Sequence, residues 1–260
     1  MKALLNKINY CWRVLATGLC FSVFGLGGIV LTVFCFPLQK LIYRDINKRQ
    51  AVARLTVHHT FKFFIGLMSI TGVGSFNVPN KHYFKELQGQ LVLANHPSLI
   101  DVVVLISLMP NADCIVKAHL FKNPFIRGVI NNTGYISNSH PDELVEACSR
   151  SLAQGNNLIV FPEGTRTTAG QALSFQRGAA NIALRCQAPI TNFIVKVSPS
   201  TLTKSEKWYQ VPQKKFEFSL FAAPVFTNMA ANTDKTLSKA SRVLTRELQS
   251  FFTGELQKYE

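Results

Sequence analysis

The chain has 260 residues, enough for one or two domains, and its 47% hydrophobic content suffices to bury a sizeable core. Lys and Arg outnumber Asp and Glu by 28 to 14, a net charge of +14 on a chain that is only 16% charged, which points to an anionic partner surface: membrane, nucleic acid or an acidic carrier protein. Cys11, Cys20, Cys35, Cys114, Cys148 and Cys186 are scattered with no C-x-x-C pair, which argues against a disulfide framework or a structural zinc and for a reduced compartment.

The first element is the run "VLATGLCFSVFGLGGIVLTVFCFPLQ" between Arg13 and Lys40, uncharged and long enough to cross a hydrocarbon core as a helix. A cleaved signal peptide, a transmembrane anchor and one arm of a helical hairpin sunk into one leaflet all compete for it. Cleavage is disfavoured because the run is too long and no small-x-small site follows; "LATGLC" resembles a lipoprotein site but places Leu19 where a small residue is expected. A basic connector, "LIYRDINKRQAVARL", leads to a second apolar segment, Phe61 to Gly74, too short to span comfortably and better suited to an interfacial or hairpin-forming helix. Lys2, Lys7 and Arg13 precede the first run, and Lys40, Arg44, Lys48, Arg49 and Arg54 follow it. Positive charge on both flanks gives the positive-inside rule little to choose between and suits a hairpin whose ends share one anionic leaflet surface. His58 and His59, after this basic stretch, are expected to face the headgroup region.

From about Gln90 the pattern changes to short β-rich runs at 90–94, 114–118, 134–137, 157–161, 190–197 and 215–221. Helical stretches at 99–109, 120–131, 141–154 and 176–187 alternate with them. That order predicts an α/β domain with a largely parallel central sheet flanked by helices, over residues 76–260, after a membrane-anchoring two-helix segment at 1–75. The last segment puts Leu237, Leu244, Leu248 and Phe251 on one helical face and Lys235, Lys239, Arg242 and Arg246 on the opposite one. Docking with a solvated basic face is the plain reading, a basic contact surface the sharper one.

Two stretches carry chemistry. In "LANHPSLIDVVVL", His96 and Asp101 could not meet on one helix, because five positions turn through about 140°. Pro97 changes this: it biases His96 toward extended backbone and is itself tolerated at a helix start. His96 can then fold back over the helix N-terminus, where Asp101 would hold Nδ1 and leave Nε2 free as a general base. A helix-dipole carboxylate beside an ordinary turn histidine is an equal alternative on this motif alone. The second stretch, "LIVFPEGTRT", reads as a strand running into a tight loop, the usual place for ligand-binding groups in an α/β sheet. Gly164 permits close backbone approach, Thr165 offers a hydroxyl, and Arg166 offers a planar fork for bidentate phosphate contact. Glu163 is either a second acid or the group that orients Arg166 or a backbone amide.

Together the two stretches resemble the glycerolipid acyltransferase family typified by 1-acyl-sn-glycerol-3-phosphate acyltransferase, the PlsC-like enzymes. Asn95-His96 through Asp101 and Phe161 through Arg166 stand in the family's order and at a matching separation. The resemblance extends to "VKAHLFKNPFIRGVINNTGYI", whose Lys117, Phe121, Pro124, Phe125, Arg127 and Gly128 look like the acceptor-binding block, and to "FQRGAANIAL". It covers about Leu91 to Val197, and the two apolar N-terminal segments are similar to the membrane-binding helix pair of bacterial members. "YISNS", Tyr135 to Ser139, departs from the family's Ile-Asp-Arg, and Asn192 stands where a second proline is common.

The resemblance implies that His96, oriented by Asp101, takes the proton from a lysolipid hydroxyl as it attacks the thioester of acyl-CoA or acyl-carrier protein. Glu163, Gly164, Thr165, Arg166, Lys117 and Arg127 would bind substrate, with Arg166 and Lys117 assigned to the acceptor phosphate and Arg127 a weaker candidate. No cofactor or metal is implied: neither His58 and His59 nor His119 and His140 show ligand spacing, and Ser98 has no G-x-S-x-G elbow around it. The expected partners are an anionic membrane surface, a lysolipid and an acyl carrier protein, not nucleic acid. The expected place is the cytoplasmic face of a bacterial-type inner membrane. The acceptor is expected to be 1-acyl-glycerol-3-phosphate, with another lysolipid such as lyso-ornithine lipid, or a non-enzymatic membrane-binding protein of the same fold, as alternatives.

Overall fold

A computed structural model of the chain describes residues 2–167, 171–226 and 236–259. The apolar N-terminal run is helical from end to end: α1 (Lys2–Val30), a π-helical turn (Leu31–Cys35) and α2 (Phe36–Ile42) follow without a break. The π turn lies directly ahead of Pro37, whose missing N–H interrupts a regular helical ladder. One side of this long helix is buried, at Ala16, Cys20, Leu31 and Phe36, while Leu15, Leu19, Leu26, Val33, Leu38 and Leu41 are exposed along the other.

The second helix, α3 (Ile46–Ile70), is longer than its apolar part. Asp45 caps it by accepting the Lys48 N–H at 2.7 Å, so most of the stretch read as a basic connector is helical. Two of the flanking charges also do not face outward. Arg13 is buried and donates to the carbonyl of Gln213, and Arg54 is buried, 3.6 Å from Asp113 and donating to the Thr133 carbonyl at 2.9 Å. His58 is a further correction. It is buried and its Nδ1 lies 2.9 Å from the carbonyl of Ile106, while only His59 is exposed.

The strands are β1 (Gly74–Asn77), β2 (Leu91–Ala94), β3 (Ala112–Val116), β4 (Ile136–Ser137), β5 (Asn157–Val160), β6 (Ile190–Ser198) and β7 (Phe216–Ala222). They form one seven-stranded sheet in the order β1-β7-β6-β2-β5-β3-β4, parallel throughout except where β6 meets β7. The central β2 and β5 are buried at every position, as strands covered on both faces must be. Edge strand β1 has no counterpart among the sequence-predicted strands. The connecting helices are α4 (Tyr83–Glu86), α5 (Asp101–Leu108), α6 (Arg127–Thr133), α7 (Pro141–Ala153) and α8 (Arg177–Cys186), with α9 (Leu237–Gln257) after the last strand. The helix predicted over 120–131 is instead a 3₁₀ segment (Ala118–Lys122) and α6, separated around Pro124.

The sheet divides the core into two layers. Val92, Ala94, Ile159, Phe193 and Phe218 pack toward α5, α3 and the N-terminal helix; Leu91, Leu93, Leu158, Val160 and Ile194 pack toward α8 and α9. On α9, Leu244, Leu248 and Phe252 are buried, Phe251 is half-buried and Leu237 is exposed. Lys239, Arg242 and Arg246 are exposed as the periodicity predicts, and Lys235 lies outside the described residues. The N-terminal helix docks closely on α6 and the segment before it: a Cβ on Gly28 would overlap the Phe125 carbonyl, and one on Gly128 would overlap Thr32.

Candidate active site

Strands β2, β5 and β6 lie side by side and parallel, so their C-terminal ends open on one edge of the sheet, where α/β folds place their ligands. At the end of β2, Asn95 is buried and exchanges two hydrogen bonds with the backbone of Val195, 2.8 Å to its carbonyl and 2.7 Å from its N–H. The amide thus extends the pairing with β6 one residue past the strand and fixes the backbone that carries His96.

His96 is outside any helix, and α5 begins at Asp101, two residues after the start of the stretch predicted over 99–109. The two side chains meet: His96 Nδ1 and Asp101 Oδ2 are 2.9 Å apart, with His96 16% exposed and Asp101 fully buried. The same oxygen accepts the Ser98 N–H at 2.8 Å, closing the turn. Burial raises the Asp101 carboxyl from 3.8 to about 6; the hydrogen bond from His96, its charge and the Ser98 N–H pull the other way, and the Glu163 charge adds to the rise. Above that pH the ionised carboxylate accepts the proton of Nδ1, and Nε2, without a partner among the described residues, is left as the basic nitrogen. The ring is braced by Phe161, stacked on it at 4.1 Å between centroids and 18° between planes.

The loop after β5 closes on His96 by its backbone. Glu163 is buried; it accepts the His96 N–H at 2.8 Å and the Thr167 hydroxyl at 2.9 and 2.7 Å, while the Thr167 N–H donates to the His96 carbonyl at 2.7 Å. Of the roles the sequence leaves open for Glu163, holding a backbone amide is the one its contacts match. Gly164 takes the left-handed conformation, φ 65°, which turns the chain tightly after Phe161. Thr165 is half-buried beside it. Arg166 donates through Nη1 to the carbonyls of Leu202 and Thr203, at 2.9 and 2.8 Å, which anchors one corner of the guanidinium. Its Nη2 and Nε have no partner among the described residues and remain available to an anion.

Lys117 follows β3 directly and is exposed on the same sheet edge, two strands from His96. Arg127 opens α6 and is exposed, next to Gly128, which packs against Thr32 of the N-terminal helix. Ser98 is buried with its hydroxyl donating to the Thr201 carbonyl at 2.8 Å, which leaves it no role as a nucleophile. Burial pushes the Cys148 thiol up to about 12 and Cys114 well above the ordinary range.

The contribution of residues 199–215 has no signal in residue type. Besides Arg166 and Ser98, this loop bonds the Leu99 N–H through the Leu202 carbonyl at 3.0 Å, so it holds both halves of the site with main-chain acceptors that any residue supplies.

Comparison with known proteins adds similarity in sequence and in fold. The Acyltransferase family model matches residues 75–196. The chain is 31% identical over 179 residues to a 1-acyl-sn-glycerol-3-phosphate acyltransferase of Helicobacter pylori, covering 64% of this chain and 67% of that one. It is 23% identical over 191 residues to the mouse 1-acyl-sn-glycerol-3-phosphate acyltransferase alpha, covering 71% of this chain and 64% of that one. Among solved structures, that of the 1-acyl-sn-glycerophosphate acyltransferase PlsC from Thermotoga maritima superposes with a TM-score of 0.62 at 21% identity, over 94% of this chain and 97% of that one, a likeness of fold.

Proposed function

The chain belongs to the 1-acyl-sn-glycerol-3-phosphate acyltransferase family, and from that premise we propose that this acyltransferase acylates the free hydroxyl of 1-acyl-glycerol-3-phosphate to give phosphatidate. His96 Nε2 takes the hydroxyl proton as the oxygen attacks the thioester carbonyl of acyl-CoA or acyl-carrier protein. The new ester forms, the carbon–sulfur bond breaks, and the proton is passed to the departing thiolate. Asp101 keeps the imidazole in the tautomer with Nδ1–H and faces the imidazolium with a negative charge while the proton is on the ring. The observation that carries the reading is the His96–Asp101 contact of 2.9 Å held against the Arg166 loop by Glu163. Arg166 presents its free edge to the acceptor phosphate, with Lys117 as a second cation on the same rim.

The acceptor lies in a bilayer, and residues 1–75 serve as the membrane anchor. Arg13 reaches Gln213, Gly28 lies against Phe125 and Thr32 lies against Gly128, so about 19 residues of helix, roughly 29 Å, run alongside the α/β domain. That contact favours a helix lying in one leaflet over one that crosses. We place the enzyme on the cytoplasmic face of a bacterial-type inner membrane.

Purified protein incubated with labelled acyl-CoA or acyl-carrier protein and a panel of lysolipids tests the reading by which lipid becomes labelled. Lysophosphatidate should be labelled, and His96→Ala should lose turnover by at least about 10²–10⁴-fold, the usual order for a general base, while still floating with vesicles. Labelling of lyso-ornithine lipid in its place would reassign the acceptor. Retained turnover in His96→Ala would refute the base. Arg166→Ala should raise KM for phosphate-bearing acceptors above all, and unchanged kinetics with lysophosphatidate would rule out the phosphate contact.

A further inference from the structure

Residues 199–215 connect β6 to β7, an antiparallel neighbouring pair that a two-residue turn could join. Loops of this length without secondary structure of their own are uncommon and usually functional. The first part, around Thr201, Leu202 and Thr203, is buried and holds the site. The remainder is exposed and has a distinct composition. It carries Lys204, Lys207, Lys214 and Lys215, all exposed, and one acid, Glu206, whose carboxylate is taken up by the Thr203 N–H at 2.9 Å. At its tip stand Trp208, 46% exposed, and Tyr209, 44% exposed, with the Lys207 ammonium 5.7 Å from the Tyr209 ring centre.

This tip is continuous with the apolar helix. Trp208 lies beside Phe21 of α1 at 6.5 Å between ring centres, and a Cβ on Gly18 would come within 3.2 Å of its indole. Farther along, the Gln213 carbonyl accepts from Arg13. The loop therefore flanks α1 over the stretch whose outer side exposes Trp12, Leu15 and Leu19. Indole and phenol rings with an apolar body and a polar tip settle at the headgroup level of a bilayer, and lysines there are drawn to anionic lipid.

We infer that the 199–215 loop is a second membrane contact, with Trp208 and Tyr209 seated at the headgroup level and the four lysines facing the phosphates of an anionic bilayer. The inference rests on the reading of α1 as a membrane anchor. Its consequence is specific to this fold: the carbonyls of Leu202 and Thr203 that hold Arg166 belong to the same loop, so seating on the bilayer and placement of the anion-binding arginine are mechanically linked.

The chain has two tryptophans, which makes a direct test available. In Trp12→Phe, Trp208 is the only indole; in Trp208→Phe, Trp12 is. Each variant is bound to phosphatidylcholine vesicles containing phosphatidylglycerol and lipids brominated either high on the acyl chain or near its end. Trp208 emission should be quenched more strongly by the shallow bromines, and replacing the four lysines by Gln in the Trp12→Phe background should cut that quenching roughly twofold or more. Quenching of Trp12 without quenching of Trp208 would overturn the loop contact and leave the anchor standing. Absence of quenching in both would refute the anchor and this inference with it. Unchanged Trp208 quenching in the lysine variant, with turnover lost only when acyl-carrier protein is the donor, would make the lysines a carrier-protein dock and overturn the assignment to lipid.

Discussion

Replacing Asp101 by Asn separates what the carboxylate costs the fold from what it gives the reaction. Burial raises this carboxyl from 3.8 to about 6, so at neutral pH the ionised group weighs against the folded state by about 3 kcal/mol. Because the folded chain holds the proton more tightly, this contribution to stability is complete below about pH 4 and is lost as the pH rises through about 6. In the variant, the carbonyl keeps the place of Oδ2, which accepts from both His96 and Ser98, at 2.9 and 2.8 Å. The amide nitrogen takes the place of Oδ1, which is buried without a partner among the described residues. Stranding it there costs about 1–3 kcal/mol. The variant should therefore match the parent or exceed it by up to about 2 kcal/mol at neutral pH, and fall below it near pH 4. Catalysis moves the other way. An imidazolium deprived of its counter-charge loses about 4 kcal/mol at an effective dielectric of 20, or about 10³ in kcat. In the parent, kcat should decline as the pH falls through about 6 and Asp101 takes up its proton. Denaturant unfolding of the detergent-solubilised pair across this pH range, with turnover measured alongside, tests both arms. A parent-like kcat, or a stability difference that does not change with pH, would refute the reasoning.

Two further substitutions probe the scaffold. Asp113→Ala leaves Arg54, buried beside it at 3.6 Å, without its charge partner. A stranded buried charge costs about 3–5 kcal/mol, so thermal unfolding should come roughly 6–20 °C earlier; an unchanged midpoint would mean that Arg54 finds water in place of the carboxylate. Asn192 is 2% exposed on β6, and neither its Oδ1 nor its Nδ2 has a partner among the described residues. Asn192→Val should raise stability by about 1–3 kcal/mol in a denaturant melt, and a loss of stability would show that the amide is satisfied in solution.

The parts of the site legible in the sequence are those whose geometry is set within a few residues. Pro97 keeps His96 off α5, and the short span to Asp101 then brings the side chains together whatever the rest of the chain does. Gly164 similarly marks its own turn. The features that escape the sequence depend on partners far along the chain. Nothing in the residues of 199–215 says that their carbonyls meet Ser98 and Arg166, and the short β1, "GSFN", has no apolar run and is a strand because β7 pairs with it. His58 reads wrongly for the same reason: it follows a basic stretch in sequence, but its partner is the Ile106 carbonyl. The start of α3 is a different case, since Asp45 is a visible cap and the density of charge after it conceals the helix.

The basic composition also takes on a location. Among the described residues four carboxylates, Asp101, Asp113, Glu163 and Glu255, are buried, against two cations, Arg13 and Arg54. Asp101 and Glu163 are inside because the site needs acceptors for the Nδ1 and backbone N–H of His96. Asp113 is inside because it meets Arg54 of α3. Each internal carboxylate removes negative charge from the outer surface, so that surface carries an excess of cations greater than the ratio of 28 to 14 alone would give it. On the proposed function, attraction of the exposed lysines to anionic lipid owes part of its strength to the acids that hold His96 and α3 in place.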